Sequence, residues 1–116
     1  MWSTAQQSIE ENGINHVPEM VGRSQPEVYS ADLSLFVLDA GLRLLERDGP
    51  DFMYLSLSDY VQHKHAPGSQ DANAFYRALD VRLGHFTAAG ALVALTADHG
   101  MNFKPELFHD YPYQFE

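Results

Sequence analysis

The chain has 116 residues, with seven Lys and Arg against 16 Asp and Glu, and a net charge of -9. A surface this acidic repels nucleic acid and anionic lipid, so neither is an expected partner. A hydrophobic share of 45% excludes a disordered chain, and the absence of cysteine excludes disulfides and thiolate metal sites.

No apolar run approaches the roughly 20 residues of a membrane helix. Met1 to Glu11 has no basic residue and no long apolar core, so it is not a secretory signal. Together with the missing cysteines, this fits a cytoplasmic protein. The length suits one small domain or a piece of a larger one.

Ser3 to Asn12 is polar and reads as a short helix stopped at Gly13. Gly13 to Gln25, with two glycines, Pro18 and then Pro26, reads mostly as loop, and Val28-Tyr29 as a brief extended piece. Ser30 has the character of an N-cap, with Asp32 in the first turn where the helix dipole favours negative charge. Leu33, Phe36, Val37, Ala40, Leu44 and Leu45 recur at helical spacing until Asp48-Gly49-Pro50 ends the run.

Phe52 to Leu57 reads as a strand and Ser58 to Gly68 as a loop. Ser69 is the next N-cap, ahead of a stripe of Ala72, Phe75, Tyr76, Leu79, Leu83 and Phe86 closed by Gly90. Ala91 to Ala97 is a second strand. Strand, helix, strand predicts an α/β fold with a parallel crossover, so both strands end on one sheet edge, where ligands bind in open α/β sheets. Residues 103–116 hold two prolines and no clear period, and form an unplaced tail.

Each strand runs into an acidic residue with a histidine close by: Asp59 with His63, and Asp98 with His99. Carboxylate oxygen and imidazole nitrogen are ligands for zinc and similar divalent ions. Four residues apart, Asp59 and His63 reach one ion across a helical turn or a tight loop. Adjacent strand residues point to opposite faces, so Asp98 and His99 converge only if the chain turns, which Gly100 permits. The plainer alternatives are an aspartate capping a loop and an exposed histidine. His65 is a candidate ligand, a substrate contact or, by default, a solvated loop residue. Lys64, His16, His85 and His109 have ordinary surface explanations. No Gly-x-Ser-x-Gly elbow and no phosphate-binding glycine loop is present.

Two stretches, Tyr54-Leu55-Ser56-Leu57-Ser58-Asp59-Tyr60-Val61-Gln62-His63-Lys64-His65-Ala66-Pro67-Gly68 and Thr96-Ala97-Asp98-His99-Gly100-Met101-Asn102, resemble the alkaline phosphatase superfamily of metal-dependent phospho- and sulfo-hydrolases. The wording Gln62-His63-Lys64-His65-Ala66-Pro67-Gly68 is most similar to its phosphonoacetate hydrolases. Glu10 to Ile14 and Val28 to Ser34 add to the resemblance, which covers most of residues 8–102.

The resemblance implies a three-layer sandwich with two zinc ions at the sheet edge. Asp59 and His63 then bind one ion, and Asp98 and His99 the other. The implied reaction splits the carbon–phosphorus bond of phosphonoacetate, a small anionic phosphonate, into acetate and phosphate. It also implies a nucleophilic threonine and a further aspartate upstream, a further histidine downstream, and substrate-binding lysines. None of these has a matching segment here, so no catalytic residue is assigned.

Residues 1–102 are therefore expected to be a fragment of an alkaline-phosphatase-like catalytic domain, with unpaired sheet edges that favour self-association. Two rival readings stand beside this one. The first is a phosphodiesterase or nucleotide pyrophosphatase, against which Gln62 stands where those enzymes usually have glycine. The second is a non-catalytic metal-binding module.

Overall fold

The computed structural model describes residues 16–24, 26–27 and 30–102. Within them the chain forms four helices: α1 (Val17–Val21), α2 (Ala31–Asp48), α3 (Tyr60–Lys64) and α4 (Gln70–Ala88). The readings of 3–12, Val28-Tyr29 and 103–116 lie outside the described residues. None of the described helices is long and apolar enough to cross a membrane.

The two long helices follow the expected signals. Ser30 precedes α2 in extended conformation, but its hydroxyl donates to the Glu27 carbonyl at 2.7 Å instead of capping the helix. Gly49, at φ 57°, donates its N–H to the Leu45 carbonyl at 3.1 Å and ends α2, and Pro50 follows. Asp48 sits at this C-terminal end, where the dipole disfavours a carboxylate. Two hydrogen bonds from Arg47, each 2.8 Å, compensate and hold the Asp48 carboxyl below its ordinary range.

Ser69 caps α4 by accepting from the Ala72 N–H at 3.3 Å. At the other end the Gly90 N–H reaches the Thr87 carbonyl and the Ala91 N–H the Phe86 carbonyl, both at 3.0 Å. This is the Schellman arrangement, and it needs the left-handed φ of 94° that Gly90 supplies.

Two short helices replace segments expected as loop. In α1, Pro18 occupies the first turn, where its missing N–H is not needed by the helix. In α3 a single turn follows Asp59 and brings residues of the expected 58–68 loop into helical register.

Helix α2 is the centre of the packing: α1 and α4 lie against it, and α3 lies against α4. Phe36, fully buried, forms one apolar cluster with Val17 and Ala40. Val61, Ala72 and Phe75 form a second, flanked by Ala31, Leu35, Tyr60 and Leu79. The buried face of α2 also includes Ser34, Leu38 and Gly41, which the apolar spacing did not mark, whereas Leu33, Val37, Leu44 and Leu45 are only partly buried.

Gly41 permits close approach. A Cβ there would stand 2.6 Å from Leu55 Cδ1 and 3.3 Å from Phe86 Cζ. Gly41→Leu is expected to destabilise the chain by about 2 kcal/mol through overpacking. Gly41→Ala should be near neutral, because the Leu55 tip can swing and alanine favours helix. Urea midpoints of the two variants check this.

Beside this packing lies a charged network. Asp39 of α2 accepts from Arg82 of α4 through Nε at 2.8 Å and Nη2 at 3.2 Å, and from Arg23 Nη2 at 3.1 Å. Arg23 also donates to Asp32 at 2.6 Å and stacks 5.1 Å over the Phe36 ring. The carboxylate is partly buried, so Asp39→Ala leaves two guanidinium groups short of a partner. A loss of about 2 kcal/mol is expected, read by chemical denaturation.

The strand expectation is met only in its alternation. No strand ladder forms among the described residues, so Phe52–Leu57 and Ala91–Ala97 are segments without regular pairing. A ladder needs a neighbouring strand in register, and none is paired to either segment. Even so, Met53, Leu55 and Leu57 are partly buried while Phe52, Tyr54 and Ser56 are exposed, the period-two pattern of a sheet segment covered on one face. Phe52 is 83% exposed and Leu92 fully so.

Candidate metal centre

The turn carrying Asp59 and His63 is built from both sides. Before it, the Ser34 hydroxyl on α2 accepts from the Ser58 N–H at 2.9 Å and donates to the Ser58 carbonyl at 3.3 Å. The Ser58 hydroxyl accepts from the Tyr60 N–H at 3.1 Å, next to the start of α3. The His63 N–H then bonds the Asp59 carbonyl at 3.1 Å and closes the turn. Val61 faces inward against Ala72 and Phe75, which turns Asp59 and His63 toward solvent. From the next position, Gln62 Nε2 donates to the Tyr76 hydroxyl at 3.1 Å and ties α3 to α4.

The result is a matched pair, with His63 Nε2 3.0 Å from Asp59 Oδ2. Bonds of about 2.0 Å to a tetrahedral zinc place neighbouring donor atoms about 3.3 Å apart. The Asp59–His63 spacing is that of a hydrogen bond, and an ion held by both atoms would replace its proton with a small opening of the pair; the oxygen and nitrogen donors suit such an ion.

Asp98 and His99 also converge. The chain bends at Asp98, whose Oδ1 accepts the His99 N–H at 3.1 Å. His99 Nε2 stands 3.8 Å from Asp98 Oδ2. His99 Nδ1 lies 2.9 Å from the Gly100 carbonyl, which can only accept, so Nδ1 carries the proton. A backbone carbonyl on one ring nitrogen is a common way to set the tautomer of a histidine whose other nitrogen binds a metal.

The two pairs do not merge. Among the described residues no three His, Asp, Glu or Cys side chains gather where they could hold one ion. Each pair thus offers two donor groups, short of the three or more ligands of a catalytic zinc site. His65 joins neither pair; its Nδ1 lies 3.5 Å from Asp71 Oδ2 at the start of α4. A groove lined by Val21, Arg23, Asp39, Leu42, Arg43 and His85 contains none of the four candidate ligands.

Sequence reasoning overlooked the supports of the first pair, Ser34 and Tyr76. A serine inside an apolar helical stripe was the available signal for Ser34. Tyr76 sat in the second stripe, Ala72 to Phe86, yet it is exposed and offers its hydroxyl to Gln62.

Comparison with known proteins gives two kinds of match. The model of the type I phosphodiesterase / nucleotide pyrophosphatase family matches residues 2–112, past Asn102 where the motif resemblance ends. Two solved structures are similar to the chain: phosphonoacetate hydrolase from Sinorhizobium meliloti 1021 in complex with phosphonoacetate, and the same enzyme in complex with phosphonoformate. Each aligns with a TM-score of 0.73 and 45% sequence identity, over 78% of this chain and 22% of that one.

Proposed function

The chain belongs to the type I phosphodiesterase / nucleotide pyrophosphatase family, with an alkaline-phosphatase-like fold, and from that premise we propose that it supplies two metal-holding arms of a zinc-dependent phosphonate hydrolase. The observation that carries the substrate class is the 45% identity to an enzyme solved with phosphonoacetate. The superfamily is metal-dependent, and zinc is among the divalent ions that the oxygen and nitrogen donors of both arms suit. In this reading Phe52–Leu57 and Ala91–Ala97 are strands of the parallel sheet in a three-layer sandwich, and Asp59 and Asp98 stand on its ligand-binding edge.

The reaction proposed is hydrolysis of phosphonoacetate to acetate and phosphate. A phosphorus–oxygen bond forms, the phosphorus–carbon bond breaks, and the carbon keeps the electron pair and takes a proton. Two bound divalent ions would neutralise the phosphonyl oxygens and activate the attacking oxygen. Asp59 and His63 hold one ion, Asp98 and His99 the other, and His65 contacts substrate. The ions also reverse the acidic character of the chain where an anionic substrate must sit. No residue of this chain is assigned as nucleophile. A cytoplasmic setting suits a chain without cysteine.

The family description favours a second reading, hydrolysis of a phosphodiester or nucleotide pyrophosphate. Gln62 separates the two. Its side chain spans from α3 to Tyr76, a tie that glycine cannot make.

Calorimetric titration of the purified chain with zinc, and then with phosphonoacetate against a nucleotide phosphodiester, tests the proposal. Zinc-dependent binding of phosphonoacetate in preference to the nucleotide is expected. Preference for the nucleotide selects the second reading, and absence of zinc binding overturns both.

A further inference from the structure

Ser34 is the only polar residue among the described ones that is buried, at 2% exposure, and it lies on the core face of α2. A buried hydroxyl without partners costs about 1–3 kcal/mol, so its bonds identify what keeps it there. Both go to one residue 24 positions away, Ser58: its N–H at 2.9 Å and its carbonyl at 3.3 Å. Those two groups belong to the peptide planes on either side of the Ser58 Cα. Holding both fixes the direction in which the chain enters Asp59.

The anchor is rigid. Ser34 is followed along α2 by Leu35 and Phe36, which pack with the second and first apolar clusters. The strap continues outward, because the Ser58 hydroxyl accepts from the Tyr60 N–H at 3.1 Å. A line of hydrogen bonds thus runs from the core of α2 to the first residue of α3, with Asp59 between its last two members. Asp59 itself is exposed and, among the described residues, bonded through its side chain only to His63.

We infer that Ser34 is a positioning residue for the metal-binding arm: its hydroxyl clamps Ser58 so that Asp59 and His63 meet as a pair that one ion can bridge. The inference rests on the metal reading above, but it makes a separate claim about the backbone that holds without metal. Alanine would fill the same buried position with no loss of packing, and would leave the Ser58 N–H and carbonyl unpartnered.

The test compares Ser34→Ala with Asp39→Ala, which weakens the fold at a site away from Ser58, and with Ser34→Thr, which keeps the hydroxyl. Amide hydrogen exchange at Ser58 and Tyr60 in the metal-free chain should rise about tenfold or more in Ser34→Ala beyond the general rise seen in Asp39→Ala. Zinc affinity, measured by competition with a chromophoric chelator, should fall about 10–100-fold in Ser34→Ala, the range for loss of a ligand's supporting partner. It should stay within about twofold of the parent in Asp39→Ala and recover in Ser34→Thr.

Equal exchange at Ser58 and Tyr60 in the two destabilised variants overturns the inference, because the hydroxyl then only stabilises the fold. Equal zinc affinity in them overturns it too. If the parent chain binds no zinc, the metal reading fails and exchange alone decides whether Ser34 places Asp59.

Discussion

Asp59→Ala and His63→Ala will each lower zinc affinity at the α3 arm by about 100-fold or more, and the double variant will bind no more weakly than the worse single one. The size follows from ligand loss: removing a group that only supports a ligand already costs about 10–100-fold. The non-additivity follows from geometry. Nε2 and Oδ2 are 3.0 Å apart and serve one ion, so deleting either leaves a single donor. Both side chains are exposed, so the fold should stay within about 0.5 kcal/mol of the parent. Calorimetry with zinc, run beside a thermal melt, separates the effects. Because the described residues hold no cluster of three ligands, Asp98→Ala should leave the α3 arm's affinity unchanged. Undiminished zinc binding in both single variants would refute the assignment.

Phe36→Ala is expected to have the largest effect on stability, about 4 kcal/mol. The ring is fully buried between α1 and α2, against Val17 and Ala40, with Met20 and Val21 packed around the cluster. Its removal leaves a cavity and also strips Arg23 of the ring face 5.1 Å beneath its guanidinium. Small domains have about 5–15 kcal/mol in total, so the variant should melt far lower or be unfolded at room temperature. Urea denaturation followed by helical circular dichroism measures it. A loss under 1 kcal/mol would mean that α1 does not fold as one unit with α2.

The long helices were legible because their signals are local. Asp32, Gly49 and Pro50 bound α2, and Ser69 and Gly90 bound α4, each through chemistry within a few residues of the helix end. The short helices were not. Five-residue α1, with Pro18 in its first turn, reads as loop because so short a segment has no period to detect. Its helicity comes from packing on Phe36. The strands are a different case. Residues 52–57 alternate as a strand does, but a ladder is a property of two segments, and pairing cannot be read from either one.

Of the site, the two Asp–His pairs were readable from residue type and spacing. The convergence of Asp98 with His99 depended on a bend that Gly100 only permits. Ser34 escaped because a serine in a helix usually faces water, and its partner lies 24 residues downstream.

The bare side of residues 52–57 and 91–95 bears on how the chain responds to heat and urea. Phe52, Tyr54, Leu92 and Leu95 are largely in water before the chain unfolds, so unfolding adds little new apolar hydration from them. The heat-capacity increment of the described residues should then fall below the usual ~12–15 cal/mol/K per residue, and the denaturant slope should be correspondingly shallow. Stability in such a chain varies gently with temperature, with a flatter dome than a fully covered sheet of the same length would give.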